Sequence, residues 1–522
     1  MSLADIYLAL AVTSAVTVAV LLFVRRLGSR LPLPPGPRKL PILGNLFNMP
    51  SSFEWERYAE WARELATDII HLNVAGQSIV VLDSYEACTE LLEKRSIVYS
   101  GRPSFPMTVG LCGMDFNIFT MSYGEKWRIR RRLMHGALNA AASANFHPIV
   151  SRVTHAFLRG MLDAGPADLG AELRLMAGKL ILAVAYGIDV QSKDDPHVVD
   201  ADELLQVLTE TSLQGAYLVN SVPALRYVPE WMPGANFQRV AREWRGKSQE
   251  LMDRPFLEAK RNFLSGCAPN SSFAMSSLEQ GIDDKLIRDG AASMYNGGTD
   301  TTVVTLLNFT LAMLDNPEMQ RRAQAELDAV LGPLEAADGS PGQLPTFADE
   351  PQLPFITALL RESTRYKPVT PVSISHAYTG TEPDIYQGYA IPPGSIVIPN
   401  VWSMMHDEAA YPDSFAFKPE RFLTAEGQLD PTVRDPEKMS FGFGRRICIG
   451  RHLAHASLWL TIASTLRVYN IEKAKREGGT DIEPHREWVS SLVMYPKQFK
   501  CAFVPRSAAA ETVIRATGGM EY

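Results

Sequence analysis

The sequence predicts a mainly helical fold with small β-sheets, preceded by a single N-terminal transmembrane helix. Three observations carry that expectation. Ile6 to Val24 runs without a charged residue. Most of residues 145–315 and 355–366, and the stretch Leu453–Leu466, space their apolar side chains at helical intervals. Strand-forming runs are short and come in pairs, around Gly76 and around Pro393-Gly394.

The chain has 522 residues, 46% of them hydrophobic, which is ample for a large core. No long linker or low-complexity run interrupts it after residue 45, so residues 46–506 are expected to form one domain. A net charge of -7 argues against nucleic acid as a partner. Cys88, Cys112, Cys267, Cys448 and Cys501 are scattered and odd in number. They make no disulfide framework and fit a reducing compartment.

The uncharged run is close to the length that spans a bilayer. Asp5 precedes it and Arg25, Arg26 and Arg30 follow, which puts the N-terminus in the lumen and the rest in the cytoplasm. A cleaved signal peptide would want a basic leader and a shorter apolar core, and neither is present. Residues 1–30 therefore read as a permanent anchor. Leu31-Pro-Leu-Pro-Pro-Gly-Pro37 cannot be helix or sheet interior. Residues 31–45 read as a stiff hinge that sets the angle at which the body leaves the membrane.

Ile69–Val74 and Ser78–Leu82 read as a hairpin, and Ser84 as the cap of a helix reaching about Lys94. Ser100 to Gly124 is irregular and apolar, with Met107, Met114, Phe116 and Phe119 among its residues. Trp127 and Arg131 stand four apart and share a helical face, where an indole N–H and a guanidinium suit a carboxylate. Lys126, Arg128, Arg130 and Arg132 form a basic face, either plain solvated surface or a surface that steers an acidic electron donor. Leu204–Trp231 reads as a substrate lid that touches the membrane or as ordinary helix packing, and Cys267–Ser277 as a loop.

Lys285–Asp315 is a long helical pattern interrupted by Asn296-Gly-Gly-Thr-Asp-Thr-Thr302. Each interior glycine costs about 1 kcal/mol relative to alanine. Glycines would let the helix approach a flat ligand, and a kink would open room for a small molecule. Asp300 and Thr301 then offer a carboxylate and a hydroxyl for proton delivery. A helix weakened for packing alone is the rival reading. Asn316 and Pro317 start the next helix and Gly332 ends it.

Glu362 and Arg365 stand three apart on a helix spanning Phe355–Tyr366. Most such pairs are surface salt bridges of little worth. His376 lies in a later strand, without a nearby His or Cys to make a metal site. Asp384–Ile398 reads as a hairpin around its Pro-Gly turn, and Trp488–Tyr495 with Phe499–Val504 as another. Residues 507–522, small and polar, read as a disordered tail.

Phe441-Gly-Phe-Gly-Arg-Arg-Ile-Cys-Ile-Gly450 sets Cys448 in a glycine-rich turn before an apolar helix. Unpaired N–H groups and the helix dipole there favour thiolate over thiol. The glycines admit a flat ligand, and Arg446 can pair with an anionic edge of it.

The pattern Phe-x-x-Gly-x-Arg-x-Cys-x-Gly resembles the haem-thiolate signature of the cytochrome P-450 family. The resemblance covers about residues 31–505. It includes Gly297, Gly298, Asp300 and Thr301 as the oxygen-activation motif, Trp127/Arg131, and Glu362/Arg365 with Arg421 from Phe417–Phe422. It implies the cytochrome P-450 fold and haem b held by Cys448 as axial iron ligand, with Phe441, Gly442 and Gly450 in the surrounding loop. It also implies propionates met by Trp127, Arg131, Arg446 and His376. By the same resemblance Glu362, Arg365 and Arg421 form a buried structural network, and residues 100–124 and 492–493 border the substrate pocket.

The implied reaction is monooxygenation, with protons relayed past Thr301 and Asp300. No flavin or nicotinamide fingerprint is fused to the chain. Electrons from NADPH are therefore expected through cytochrome P-450 reductase, with cytochrome b5 as a second donor, at the endoplasmic reticulum membrane. Few charges in the pocket segments imply a lipophilic substrate. The chain looks most like fungal microsomal members of secondary metabolism, so a terpenoid is expected first and an aromatic or indole compound second. The rivals are a haem-thiolate isomerase or dehydratase, which often lacks the Asp-Thr pair, and a non-enzymatic haem sensor.

Overall fold

The computed structural model describes residues 31–165, 168–190, 192–199, 211, 217–266, 271–335 and 338–521. The expected anchor, residues 1–30, and part of the expected lid, 204–210 and 212–216, lie outside the described residues. Among the described residues no helix is long and apolar enough to cross a membrane.

The longer helices are α1 (Glu54–Glu64), α2 (Glu125–Leu138), α3 (His147–Asp163), α4 (Leu169–Tyr186), α5 (Asn236–Leu264), α6 (Phe273–Glu279), α7 (Asp284–Gly298), α8 (Asp300–Asp315), α9 (Pro317–Leu331), α10 (Pro354–Tyr366), α11 (Arg451–Val468) and α12 (Ala508–Ala516). The strands are β1 (Ile69–Val74), β2 (Gln77–Leu82), β3 (His376–Ala377), β4 (Asp384–Tyr386), β5 (Tyr389–Ile391), β6 (Ile396–Pro399), β7 (Tyr469–Lys473) and β8 (Cys501–Pro505). The mainly helical fold with small sheets is thus observed.

Helices α4, α8 and α11 are buried almost all round and form the centre of the core. Most of their positions are apolar or small on all sides, which suits a position between other helices. The largest sheet has the order β1-β2-β6-β3, with β2 and β6 parallel and the other pairs antiparallel. It carries His376 on its two-residue edge strand β3. The hinge lies along this sheet instead of standing off as a free spacer. Pro35 O accepts from His71 N–H at 2.8 Å and Pro32 O from Ala390 N–H at 2.8 Å.

Four expectations need correction. The 384–398 hairpin turns at Gln387-Gly388, both at positive φ, while the strand after Pro393-Gly394 leaves to join β2. In the C-terminal region only Trp488 bridges Pro496; β8 pairs with β7, where Phe503 packs edge-on to Tyr469 at 5.8 Å. Within the expected loop Cys267–Ser277, Ser272 caps α6 by accepting from Met275 N–H. The expected disordered tail holds α12, capped by Ser507 and anchored by buried Ala510, Val513 and Ile514. Alanine favours helix, and that apolar face supplies the burial that a polar tail would lack.

The Glu362–Arg365–Arg421 network is present and buried. Arg365 grips Glu362 at 2.7 and 2.9 Å, and Arg421 Nε reaches it at 3.3 Å. Lys418 N–H donates to the same carboxylate at 2.7 Å, and Arg365 donates to the carbonyls of Met405, Ser414 and Ala416. Removing one partner of a buried ion pair leaves an uncompensated charge. Glu362→Ala is therefore expected to cost about 3–5 kcal/mol, read as a lowered thermal midpoint. Lys418→Ala, which keeps the backbone N–H, should leave the midpoint nearly unchanged.

A second clamp joins α11 to the segment that precedes the cysteine loop. His455 bonds Glu437 through Nδ1 at 2.6 Å and Glu350 through Nε2 at 2.8 Å. Burial alone would lower its pKa, but the two carboxylates prevail and raise it to about 10. A raised pKa stabilises the fold fully below the unfolded value of about 6.5, and the gain is lost as pH rises through the folded value. Thermal midpoints of the wild type should therefore fall between those two pH values. His455→Gln should flatten that decline.

Candidate active site

Backbone hydrogen bonding closes the loop 441–450. Cys448 N–H donates to Phe441 O at 2.7 Å, and Gly442 adopts φ 75°. Gly444, at φ 55°, lies so close to the chain that a Cβ would meet Leu92 O at 2.1 Å. Gly450 precedes the first turn of α11, and a Cβ there would meet nothing within 4 Å. Cys448 is half-buried, and the backbone N–H groups of Gly450 and Arg451 favour its charged form. Burial pushes the thiol up. Those N–H groups and the charges of Arg131 and Arg451 oppose the rise without cancelling it. The expected preference for thiolate is therefore not met by the helix terminus alone; a coordinated metal ion deprotonates a thiol outright.

Around the loop the structure gathers Trp127, Arg131, Arg446 and His376. Arg131 donates to Ile447 O at 2.6 Å. Arg446 is 9% exposed and donates to the carbonyls of Ser100, Ile118 and Met121. Its guanidinium carbon lies 4.5 Å from the Trp127 ring centroid, and that of Arg131 lies 5.4 Å away. Trp127 Nε1 is buried and has no hydrogen-bond partner among the described residues. His376 Nδ1 bonds Tyr99 O at 2.7 Å.

Sequence reasoning missed Arg102. It donates to the carbonyls of Phe119, Ile374 and Ser375 and sits beside both Arg446 and His376. The available signal was a lone cation in the apolar stretch 100–124, where Asp115 is the sole other charge.

The electrostatics of this cluster point one way. Burial lowers the pKa of Arg131 to about 10 and of Arg446 to about 9, and drives that of Arg102 well below its usual value. Burial, Arg102 and Arg446 likewise hold His376 well below the ordinary histidine range. Each guanidinium is met by carbonyls, and no carboxylate among the described residues pairs with any of them. Three cations, an orphaned indole N–H and a cysteine at a helix start form a donor set for a flat, dianionic, metal-bearing ligand. They fit haem b.

The helical pattern 285–315 breaks where expected. Thr299 (φ -80°, ψ -71°) separates α7 from α8. Three hydroxyls take up carbonyls at the break: Thr299 bonds Tyr295 O, Thr301 bonds Gly297 O at 3.0 Å, and Thr302 bonds Gly298 O at 3.0 Å. Such back-bonding bends helices. Asp300 and Thr301, both half-buried, begin α8. Both glycines pack closely against protein: a Cβ at Gly297 would meet Phe119 Cζ at 2.7 Å, and one at Gly298 would meet Ile181 Cδ1 at 2.8 Å. The loop 118–121 thus touches both Arg446 and the kinked helix, which brings the two motifs to one place.

The basic face of α2 is smaller than expected. Lys126, Arg128 and Arg132 are exposed, but Arg130 turns inward to Asp289 at 2.6 Å.

The Cytochrome P450 family profile matches residues 34–503. Cytochrome P450 monooxygenase 98 of Postia placenta is 44% identical over 513 residues, 97% of this chain and 96% of its own. Cytochrome P450 monooxygenase ple1 of Rhodocybe pseudopiperita is 39% identical over 490 residues, 93% of this chain and 91% of its own. Tryptamine 4-monooxygenase of Psilocybe cyanescens is 36% identical over 486 residues, 91% of this chain and 93% of its own. With that profile spanning most of the chain, the chain belongs to the cytochrome P-450 family, whose members use haem b and draw electrons from NADPH through a reductase.

Proposed function

We propose that this protein is a membrane-anchored monooxygenase of fungal secondary metabolism. It would insert one atom of O2 into a lipophilic small molecule, a terpenoid skeleton first. The observation that carries the reading is the cysteine loop set among three carboxylate-free guanidiniums. Haem, when bound, supplies the oxygen chemistry.

Cys448 would hold the iron, with Phe441, Gly442 and Gly450 shaping the loop around it. Arg102, Arg131, Arg446, Trp127 and His376 would hold the two propionates. Thr301 donates its hydroxyl proton to Gly297 O and keeps lone pairs for a water. With Asp300 beside it, it would pass protons inward.

A buried apolar layer that includes Met107, Met114, Phe116, Met252 and Ala292 supports a lipophilic substrate. An indole substrate is the second reading, favoured by the resemblance to Tryptamine 4-monooxygenase. Product profiles from a panel of terpenoid and indole compounds decide between them, and turnover of neither class would defeat both.

The anchor would place the catalytic domain on the cytoplasmic face of the endoplasmic reticulum. Support comes from apolar residues left exposed in the hinge and just after it, Ile42 at 85% and Phe47 at 75%, and on residues 218–231, Leu218 at 72% and Trp231 at 80%. Lys126, Arg128, Arg132 and Arg445 are exposed without a carboxylate partner among the described residues, on the helix and loop that flank Cys448. They would receive the acidic face of a reductase, with cytochrome b5 as a second donor.

Reduced wild-type protein with carbon monoxide should show the red-shifted Soret band of a thiolate ligand. Cys448→Ser should lose it. A histidine-type band in folded, haem-loaded wild type would remove the monooxygenase reading. Arg128→Glu with Arg132→Glu should slow reductase-driven reduction about tenfold at low salt and blunt its salt dependence. Reduction by dithionite should be unchanged.

A further inference from the structure

A cavity of 610 Å³ lies between the hinge and α1. Arg38 of the hinge, Phe47 and Asn48 of the short helical turn after it, and Arg57, Trp61 and Glu64 of α1 line it. Its size falls in the range of small-ligand sites.

The hinge side is held in place. Gly36 runs so close to β1 that a Cβ would meet His71 O at 2.1 Å, and Lys39 Nζ bonds His71 Nδ1 at 2.6 Å. Asn45 Nδ2 donates to Pro37 O at 3.2 Å and to Arg38 O at 3.3 Å. Arg38 is therefore fixed at its backbone, while its side chain is exposed and has no partner among the described residues.

The α1 side carries both signs. Arg57 donates to Glu60 at 2.6 Å and more loosely to Glu64 at 3.4 Å, and its guanidinium carbon lies 4.9 Å from the Trp61 ring centroid. Two carboxylates thus answer Arg57. Glu64 keeps lone pairs open to a second cation, and Arg38 keeps its donors open to an anion. Glu64 is also the last residue of α1, where the helix dipole adds partial negative charge.

The rim is apolar. Leu40, Ile42, Leu43, Leu46 and Phe47 are all exposed. Apolar clusters of that kind mark docking or membrane surfaces. Arg38 follows Arg30, where the expected anchor ends, by eight residues. Chain length alone keeps it within about 28 Å of that point.

We propose that this cavity binds the headgroup of a zwitterionic phospholipid. Arg38 takes the phosphate, and Glu64 takes the ammonium beside Phe47. The acyl chains leave over the apolar rim. A ligand of one sign would meet repulsion from one of these two side chains, and a headgroup with both signs meets none. Bound there, the lipid would fix the tilt of the catalytic domain at the membrane. The inference rests on the reading of a membrane-anchored protein.

The test uses the full-length, haem-loaded protein in mild detergent, with lipid retention read by native mass spectrometry. The probes are dioleoylphosphatidylcholine, dioleoylphosphatidylglycerol and glycerophosphocholine. Wild type should hold one phosphatidylcholine about tenfold more tightly than phosphatidylglycerol, and about tenfold more tightly than glycerophosphocholine. Arg38→Gln should weaken both lipids about tenfold. Glu64→Gln should weaken phosphatidylcholine and strengthen phosphatidylglycerol, inverting the preference. Both side chains are exposed, so the variants should melt with the wild type.

Equal retention of the two lipids by wild type would overturn the inference. So would retention unchanged in both variants, the pattern of lipids held by the anchor alone. Glycerophosphocholine bound as tightly as the lipid would also overturn it, because the site would then serve a free metabolite. Sedimentation with phosphatidylcholine vesicles separates the two readings. Protein left in the supernatant defeats the membrane reading and this inference with it, whereas cosedimentation without a headgroup preference defeats this inference alone.

Discussion

Positive charge gathered inside the protein without acidic partners is the constraint on which this architecture turns. Taking a guanidinium out of water costs several kcal/mol unless something answers its charge. Here the answer is made of backbone. Arg102, Arg131 and Arg446 draw carbonyls from Ser100, Ile118, Phe119, Met121, Ile374, Ser375 and Ile447. Those carbonyls belong to separate stretches of chain, so the cations fasten the loop after residue 100, the strand region at 374–376 and the cysteine loop into one frame. Carbonyl dipoles satisfy hydrogen bonds but do not neutralise charge, and the depressed pKa values record what remains. A dianionic cofactor completes the balance, so loading and local folding should be coupled.

The break between α7 and α8 obeys the same economy. A helix that stops and restarts leaves carbonyls without partners, and a buried carbonyl cannot be left so. Threonine at 299, 301 and 302 supplies hydroxyls at the positions needed, bonding back four residues each time. The β-branched residues that looked like poor helix formers therefore hold the distortion in place. Gly297 and Gly298 act by what they lack: Phe119 and Ile181 occupy the space their side chains would fill.

What was legible in the sequence was local. Cys448 with Arg446, Trp127 with Arg131, Glu362 with Arg365, and the interrupted run at 296–302 each concentrate their chemistry within one turn of helix or one loop, so spacing alone exposes them. Arg421 became legible only through the family resemblance. What escaped depends on contacts distant in sequence. Arg102 is a single cation whose partners lie at 119 and 374–375, and Arg130 looked like its exposed neighbours until Asp289 met it from another helix. The strand Cys501–Pro505 was matched to its sequence neighbour because β-pairing carries no local signature, yet Tyr469–Lys473 offered the longer antiparallel ladder. The C-terminal helix escapes sequence reading for the opposite reason. Its composition suggested a loose tail, but Ala510, Val513 and Ile514 fall on one face and find the core.

One short loop links the two halves of the site. Residues 116–121 give carbonyls to Arg446 and Arg102 at one end and lay Phe116, Ile118 and Phe119 along α7 at the other. A propionate that draws Arg446 away from Ile118 or Met121 would loosen the wall against which Phe119 packs. Packed interiors shift between discrete arrangements rather than deforming smoothly, so such coupling tends to be stepwise. The seating of Arg446 and the packing of the kinked helix therefore share one backbone segment, and a change in this loop should disturb both together.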